Sequence, residues 1–176
     1  MDPASIFWIS GPPASGKTTL CRALLAQFDS GVHIPVDDLR PWVVSGFSDS
    51  VPWTDETERQ FQVAEQAVCG VIRPYHRHGF AVAVDHCRNM RRLEEVIQSE
   101  LSDLPVTKIC LMPELSVNLH RSHTRTNKPF DPHLLDETIL FTNTHYREDR
   151  IPGWHVIDNT EMTVAETVDH ILTLRP

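Results

Sequence analysis

The residues best suited to chemistry stand near the start of the chain, in Gly11-Pro12-Pro13-Ala14-Ser15-Gly16-Lys17-Thr18-Thr19, which fits the pattern G-x-x-x-x-G-K-[ST]. A loop that wraps a phosphate chain has to turn its own amide N–H groups inward, and glycine tolerates both that backbone and the close approach of a ligand. Gly11 and Gly16 meet this need. Lys17 can set an ammonium against the outer phosphates, and Thr18 can offer its hydroxyl to Mg²⁺. A helix opening here adds the positive end of its dipole. Residues 11–19 are therefore expected to hold the phosphates of a nucleoside triphosphate together with Mg²⁺.

Two acidic stretches follow β-like runs. Val32-His33-Ile34-Pro35-Val36 leads into Asp37-Asp38-Leu39-Arg40. The C-terminal ends of parallel strands share one edge of a sheet, so these residues should face the phosphate loop. A carboxylate at Asp37 could take the proton of an attacking hydroxyl, and Arg40 could hold an anionic group of the acceptor. The competing reading makes Asp38 a helix cap and Arg40 a solvated surface charge. Phe80-Ala81-Val82-Ala83-Val84 ends in Asp85, which suits a carboxylate holding Mg²⁺ through water or, more simply, one capping the next turn.

Between Leu115 and Phe130 the chain has Arg121, Arg125 and Lys128 and no acid. Arg121 and Arg125, four apart, are expected on one helix face, in a lid near 118–132 that could neutralise the transferred phosphoryl group. Arg147 and Arg150 are further candidates for that role, and a solvated basic face is the plainer alternative. Trp42, Phe47 and Trp53 could stack on an acceptor or pack on the core. His76-x-His78 and His120-x-x-His123 lack the cysteine or carboxylate companions of a closed metal site, so the sequence gives them no dedicated ion.

The elements that must position these groups are legible as well. Short β-rich runs at Ser5 to Ser10, Val32 to Val36, Phe80 to Val84, Val106 to Met112 and Trp154 to Ile157 predict five strands. Helical patterns between them predict an α/β fold with a parallel sheet covered on both faces. The helix after the loop is expected to end near Asp29-Ser30-Gly31. A second should start at Asp55 as N-cap, with Glu58 three residues on, and bury Phe61, Ala64, Val68, Ile72 and Tyr75. Asn89 should cap a third, with Leu93, Val96, Ile97 and Leu101 inward. Pro113 suits the first turn of a fourth. Asp131-Pro132 opens a fifth with Leu135, Ile139 and Tyr146. Thr163-x-x-Glu166 boxes a sixth that buries Val164, Val168, Ile171 and Leu172.

With 176 residues, the chain suits one domain spanning 1–176. Its formal charge of -8 disfavours a long nucleic acid as partner, because such binding relies on neutralising phosphates. Cys21, Cys69, Cys87 and Cys110 form no Cys-x-x-Cys pair and read as reduced packing thiols. No apolar run approaches a membrane span, and Met1-Asp2-Pro3 precedes the first strand without a basic leader, so the expected location is the cytoplasm.

Gly11 to Thr18, Asp37-Asp38-Leu39-Arg40, Val84-Asp85-His86-Cys87-Arg88-Asn89 with Arg91-Arg92, and the arginines at 121 and 125 together resemble P-loop kinases of the polynucleotide-kinase-like and chloramphenicol-phosphotransferase-like group. The resemblance implies a three-layer P-loop NTPase fold with strand order 2-3-1-4-5, Asp37 as the base and Arg40 beside the acceptor. In general plan the chain is also similar to gluconate and shikimate kinases, which would put Asp158-Asn159-Thr160 in the adenine-binding loop. Asn127-Lys128-Pro129-Phe130 lacks the acid of a guanine-binding Asn-Lys-x-Asp, so ATP is the expected nucleotide. The expected activity is transfer of the γ-phosphoryl group of ATP to a hydroxyl of a small molecule. A nucleoside or polynucleotide 5′-hydroxyl kinase is the nearest alternative, and a nucleotide-dependent switch or ATPase working through a protein partner is another. The acceptor's identity and the oligomeric state stay open.

Overall fold

A computed structural model describes residues 5–125 and 131–174. Lys128 and the rest of Asn127-Lys128-Pro129-Phe130, in the middle of the expected lid, lie outside the described residues.

Five strands, β1 (Ile6–Ser10), β2 (Gly31–Pro35), β3 (Ala81–Asp85), β4 (Val106–Leu111) and β5 (Trp154–Ile157), form one sheet in the order β2-β3-β1-β4-β5. All four pairings are parallel. Among the described residues the α-helices are six: α1 (Lys17–Leu25), α2 (Asp55–Arg77), α3 (Met90–Glu100), α4 (Leu115–Thr124), α5 (Asp136–Glu148) and α6 (Val164–Leu172). No described helix is long and apolar enough to cross a membrane.

Alternation along β1 explains the three layers. Successive strand side chains point to opposite faces. Ile6 and Trp8 join Val82, Val84, Val68, Ile72, Leu93 and Ile97 in a core under α2 and α3, to which Tyr146 of α5 adds. Phe7 and Ile9 join Ala81, Ala83, Leu20, Leu24, Val168 and Ile171 in a second core under α1 and α6. Every residue of β1 and β3 is buried, as a strand covered on both faces requires. β1 lies at the centre of the sheet, so the loop that leaves it opens at the middle of the C-terminal edge.

The strands fall within a residue or so of their expected places; several helix ends do not. α1 stops at Leu25, with Ala26 as its cap, well before Asp29. α2 is capped by Thr54, whose side chain accepts from the amide of Thr57 in a reciprocal box, so Asp55 is its first residue and not its cap. The reciprocal pair of hydroxyls satisfies the amides of residues 54 and 57, one position earlier than an Asp55–Glu58 box would have done. Tyr75, in the last turn of α2, is partly exposed and rings Phe80 edge-on. Pro113 precedes α4, which has Glu114 at its N-cap. Asp131 caps a 3₁₀ turn, Pro132–Leu135, and α5 begins only after it. Asn89 and the Thr163–Glu166 box cap α3 and α6 as expected.

Candidate active site

The loop between β1 and α1 has the backbone its glycines were expected to give. Gly11 has φ of 143°, and a Cβ there would stand 2.5 Å from the Leu111 carbonyl oxygen. No other residue fits. Gly16 is the N-cap of α1 in the left-handed region, with φ of 99°. It offers no side-chain acceptor, and the first turn of α1 has no acid, so the amides of that turn are left for an anion. Lys17 Nζ stands over the loop and donates to the carbonyls of Gly11 and Pro12 at 2.9 and 2.8 Å.

Thr18 and Asp85 meet. The Thr18 hydroxyl donates to Asp85 Oδ2 at 2.6 Å, and His33 Nε2 lies 3.5 Å from the same oxygen. Burial pushes the Asp85 carboxyl upward, but the facing His33 imidazole, the Thr18 hydrogen bond and the nearby Lys17 charge outweigh it and hold the group below its usual value. A buried, ionised carboxylate touching the loop threonine suits Mg²⁺ at a triphosphate, with Thr18 as ligand and Asp85 beside it. The residues present fit that pair of groups.

Asn159 is buried and its Nδ2 donates to the Ser15 carbonyl at 3.0 Å, so it braces the loop from the β5 side. A second brace carried no sequence signal. Asn118 of α4, fully buried, donates to the Pro13 carbonyl at 2.6 Å and accepts at 3.3 Å from Asn143 of α5. Arg147 donates to the carbonyls of Met112 and Pro113, which commits it to structure rather than to a lid. Arg150 turns to the carbonyls of Arg147 and Asp149.

A cavity of about 390 Å³ opens beside the loop, lined by residues 14–20, Arg121, Arg125, Asn159, Met162, Val164 and Thr167. Arg121 donates to the carbonyls of Asn159 and Thr160 at 3.0 and 3.3 Å. Arg125 has left the helix, with φ and ψ of -72° and 142°, yet lines the same cavity. The two arginines thus meet at the cavity and not along one helix face. Val164, expected inside, is 42% exposed because it looks into this cavity.

The ends of β2 and β3 build a second region. Asp37 lies in a 3₁₀ turn, Val36–Asp38, and its side chain is 66% exposed at the sheet edge. Asp38 is exposed and is not a cap, since the turn's cap position is Pro35 and no side chain bonds there. Asp37 Oδ1 stands 3.8 Å from Nδ1 of the buried His86, whose Nε2 is 3.2 Å from Glu65 Oε1. Glu65, fully buried in α2, also takes Arg88 Nε at 3.0 Å and Arg92 Nε at 3.1 Å. Burial raises the Glu65 carboxyl, and the hydrogen bond and charge of His86 with the two guanidinium groups bring it below its usual value. Sequence reading missed this group, although an acid on the stripe Phe61, Ala64, Val68 was the available signal.

Arg40 is only 7% exposed and is less available than expected for an anionic acceptor. Its guanidinium bonds the Ser48 carbonyl and lies 4.0 Å from the Phe61 ring centre and 5.1 Å from that of Phe47. Desolvation by burial lowers its pKa, against the pull of Asp37 and Asp49. Trp53 stacks on Phe61 at 4.9 Å, and Phe61 in turn faces His86 at 5.6 Å, so a run of rings leads toward Asp37. Trp42 stands out at 72% exposed.

A parallel sheet of order 2-3-1-4-5 with this loop after its central strand is the fold of P-loop kinases. Within that class the chain belongs to the chloramphenicol phosphotransferase-like protein family, whose model matches residues 4–172. The fold is similar to that of an unliganded sugar kinase from Janibacter sp. HTCC2649, with a TM-score of 0.74 at 18% identity over 98% of this chain and 94% of that one. It is also similar to the tunicamycin resistance protein of Deinococcus radiodurans, with a TM-score of 0.69 at 18% identity over 97% and 94% of the two chains. Shikimate kinase from Acinetobacter baumannii in complex with shikimate gives a TM-score of 0.60 at 18% identity, over 97% and 92%. No curated protein matches the sequence.

Proposed function

We propose that this protein is an ATP- and Mg²⁺-dependent kinase that transfers the γ-phosphoryl group to a hydroxyl of a small molecule in the cytoplasm. The observation that carries this reading is the exposed carboxylate of Asp37 at the same sheet edge as a phosphate loop whose Thr18 bonds an ionised Asp85. Mg²⁺, when bound, neutralises charge on the β- and γ-phosphates.

The chain's own groups have separate tasks. Amide N–H groups of Gly11, Ala14, Ser15 and Gly16 and of the first turn of α1, Thr19 included, cradle the phosphates, while Pro12 and Pro13, which have no N–H to offer, fix the course of the loop. Lys17 stabilises charge at the transferred group. Asn159 keeps the loop in shape, and Met162 and Val164 offer apolar surface to the base. Asp37 orients the acceptor hydroxyl and takes its proton as the new P–O bond forms. Arg121 and Arg125, which line the cavity beside the loop, neutralise charge on the transferred phosphoryl group.

The exposed apolar side chains of Trp42, Phe47 and Trp53 support an acceptor with an apolar body, and Arg40 acts by fixing that wall more than by binding an anion. A panel of hydroxyl compounds that includes chloramphenicol, gluconate, shikimate, nucleosides and a 5′-hydroxyl oligonucleotide, scored by ADP release and by product mass, tests the reading. ADP release driven by a small-molecule alcohol supports it. Release driven only by the oligonucleotide makes the chain a polynucleotide kinase, and hydrolysis that no compound accelerates makes it a switch or ATPase.

A further inference from the structure

Neither His76 with His78 nor His120 with His123 becomes a three-ligand group in the fold, among the described residues. The chain instead draws together three residues that the sequence keeps apart. His123, in the last turn of α4, has its Nε2 2.7 Å from Asp136 Oδ1. His133, in the 3₁₀ turn before α5, has its Nδ1 3.2 Å from Asp136 Oδ2. The two imidazole rings lie 4.2 Å apart between centroids, tilted by 44°. One ligand atom from each residue falls within 4.8 Å of the other two.

We propose that His123, His133 and Asp136 form a binding site for Zn²⁺ or a similar borderline divalent ion, separate from the site at Thr18 and Asp85. Two imidazoles and a carboxylate are a donor set that suits Zn²⁺, whereas Mg²⁺ calls for oxygen ligands in an octahedron. Metal–ligand bonds of about 2.0–2.2 Å at tetrahedral angles put neighbouring donors roughly 3.3–3.5 Å apart. The His133–Asp136 separation of 3.2 Å is near that, the His123–Asp136 one of 2.7 Å is shorter, and the three donors lie within 4.8 Å of one another, so side-chain adjustment at an exposed turn would let them close on one ion. His133 is 65% exposed, so water fills the remaining position on the ion.

The site joins the end of α4 to the start of α5. Arg121 and Arg125 flank His123 in sequence, so an ion here would steady the helix end from which both arginines reach the cavity. Nothing in this depends on which acceptor the protein uses.

The test is Zn²⁺ titration of the full chain, without a histidine tag, against a chromophoric chelator, with Co²⁺ absorption as a second reading of geometry. The wild type should take up one tight equivalent that depends on Asp136, apart from any ion held by the second three-ligand group, Cys21, His33 and Asp85, should show the intense visible band of tetrahedral Co²⁺, and should melt at a higher temperature with Zn²⁺ present. His133→Ala, on an exposed turn, and Asp136→Asn should each weaken uptake at least tenfold and abolish the rise in melting temperature. Should His133→Ala not fold, His123→Gln and Asp136→Asn give the same comparison. The double variant H76A/H78A should bind as the wild type does. Uptake that does not saturate, or that is equal in the wild type and the Asp136→Asn variant, means adventitious coordination by exposed histidines and overturns the proposal.

Discussion

The two halves of the candidate site are built on opposite principles. The phosphate half is braced from every side: Asn118 and Asn159 hold carbonyls of Pro13 and Ser15, Thr18 bonds Asp85, and Gly11 leaves no room for a Cβ. The half around Asp37 is open, with Trp42, Val44 and Val51 at 72%, 95% and 70% exposed. Triphosphate groups are alike in every nucleotide, so a rigid cradle can be shaped once for them. An acceptor differs from one kinase to the next, and exposed side chains on irregular backbone can vary without disturbing the sheet.

Removing the central charge of the braced half should give the largest effect. Lys17→Ala is expected to cut phosphoryl transfer by roughly a thousandfold while leaving the melting temperature within a few degrees, because the ammonium stabilises charge that grows at the transferred group. ADP release and thermal melts of the variant check this. A folded variant with near-normal turnover would remove the phosphate half from the mechanism.

The open half should respond in kcat alone. Asp37→Asn keeps the shape of the side chain but cannot accept a proton, so kcat should fall by about a hundredfold or more with nucleotide affinity unchanged. Asp38→Asn, whose side chain points to solvent, should cost little. Saturation kinetics with the best acceptor and calorimetry with ATP separate the two halves. Normal turnover by Asp37→Asn beside a dead Asp38→Asn would exchange their roles.

How legible each half was in the sequence follows from the same contrast. The phosphate loop is local: four specified positions within a span of eight, after a β-rich run and before a helical one, mark Gly11 to Thr18 directly. The sheet was legible because strands buried on both faces read as continuous apolar runs of β-branched and aromatic residues such as Ile6 to Ile9. Strand order came from the family resemblance, not from spacing. Asn118, His86 and Glu65 were not found, since each acts on a partner 21 or more residues away and no local pattern records that. Arg40 was identified as an anion binder from its distance to Asp37 in sequence, but the rings of Phe47 and Phe61 that enclose it come from later segments.

A smaller effect tests whether the bracing matters. Asn118→Ala leaves the Pro13 carbonyl without that donor, while Asn143 keeps Pro113 and Arg147 as partners, which should cost about 1–3 kcal/mol of stability and weaken nucleotide binding several-fold. Acceptor KM should not move. Calorimetry with ATP and urea denaturation measure both quantities, and a variant bound and folded like the wild type would leave the loop self-supporting.

The smallest expected effect on turnover concerns the buried acid behind the open half. The Glu65 carboxyl is held below its ordinary 4.5 by His86, Arg88 and Arg92, against its own burial. The unfolded chain therefore binds more protons at this group than the folded one in acid, and the stabilisation is complete above the ordinary value and fades as pH drops through the lowered one. Glu65→Gln has no charge to lose. At about pH 7 it should be less stable than the wild type by roughly 3 kcal/mol, the lower end of the scale for breaking a buried pair, because Arg88 and Arg92 lose their shared counter-ion while Glu58 and Glu95 still pair with them. That gap should narrow as both proteins are taken to the acid end of the range in which they stay folded, where the wild-type carboxyl gains its proton. Urea denaturation at the two pH values gives the gap directly. A gap of the same size at both would mean that the amide fails through packing, and that the charge of Glu65 contributes nothing to holding the wall behind Asp37.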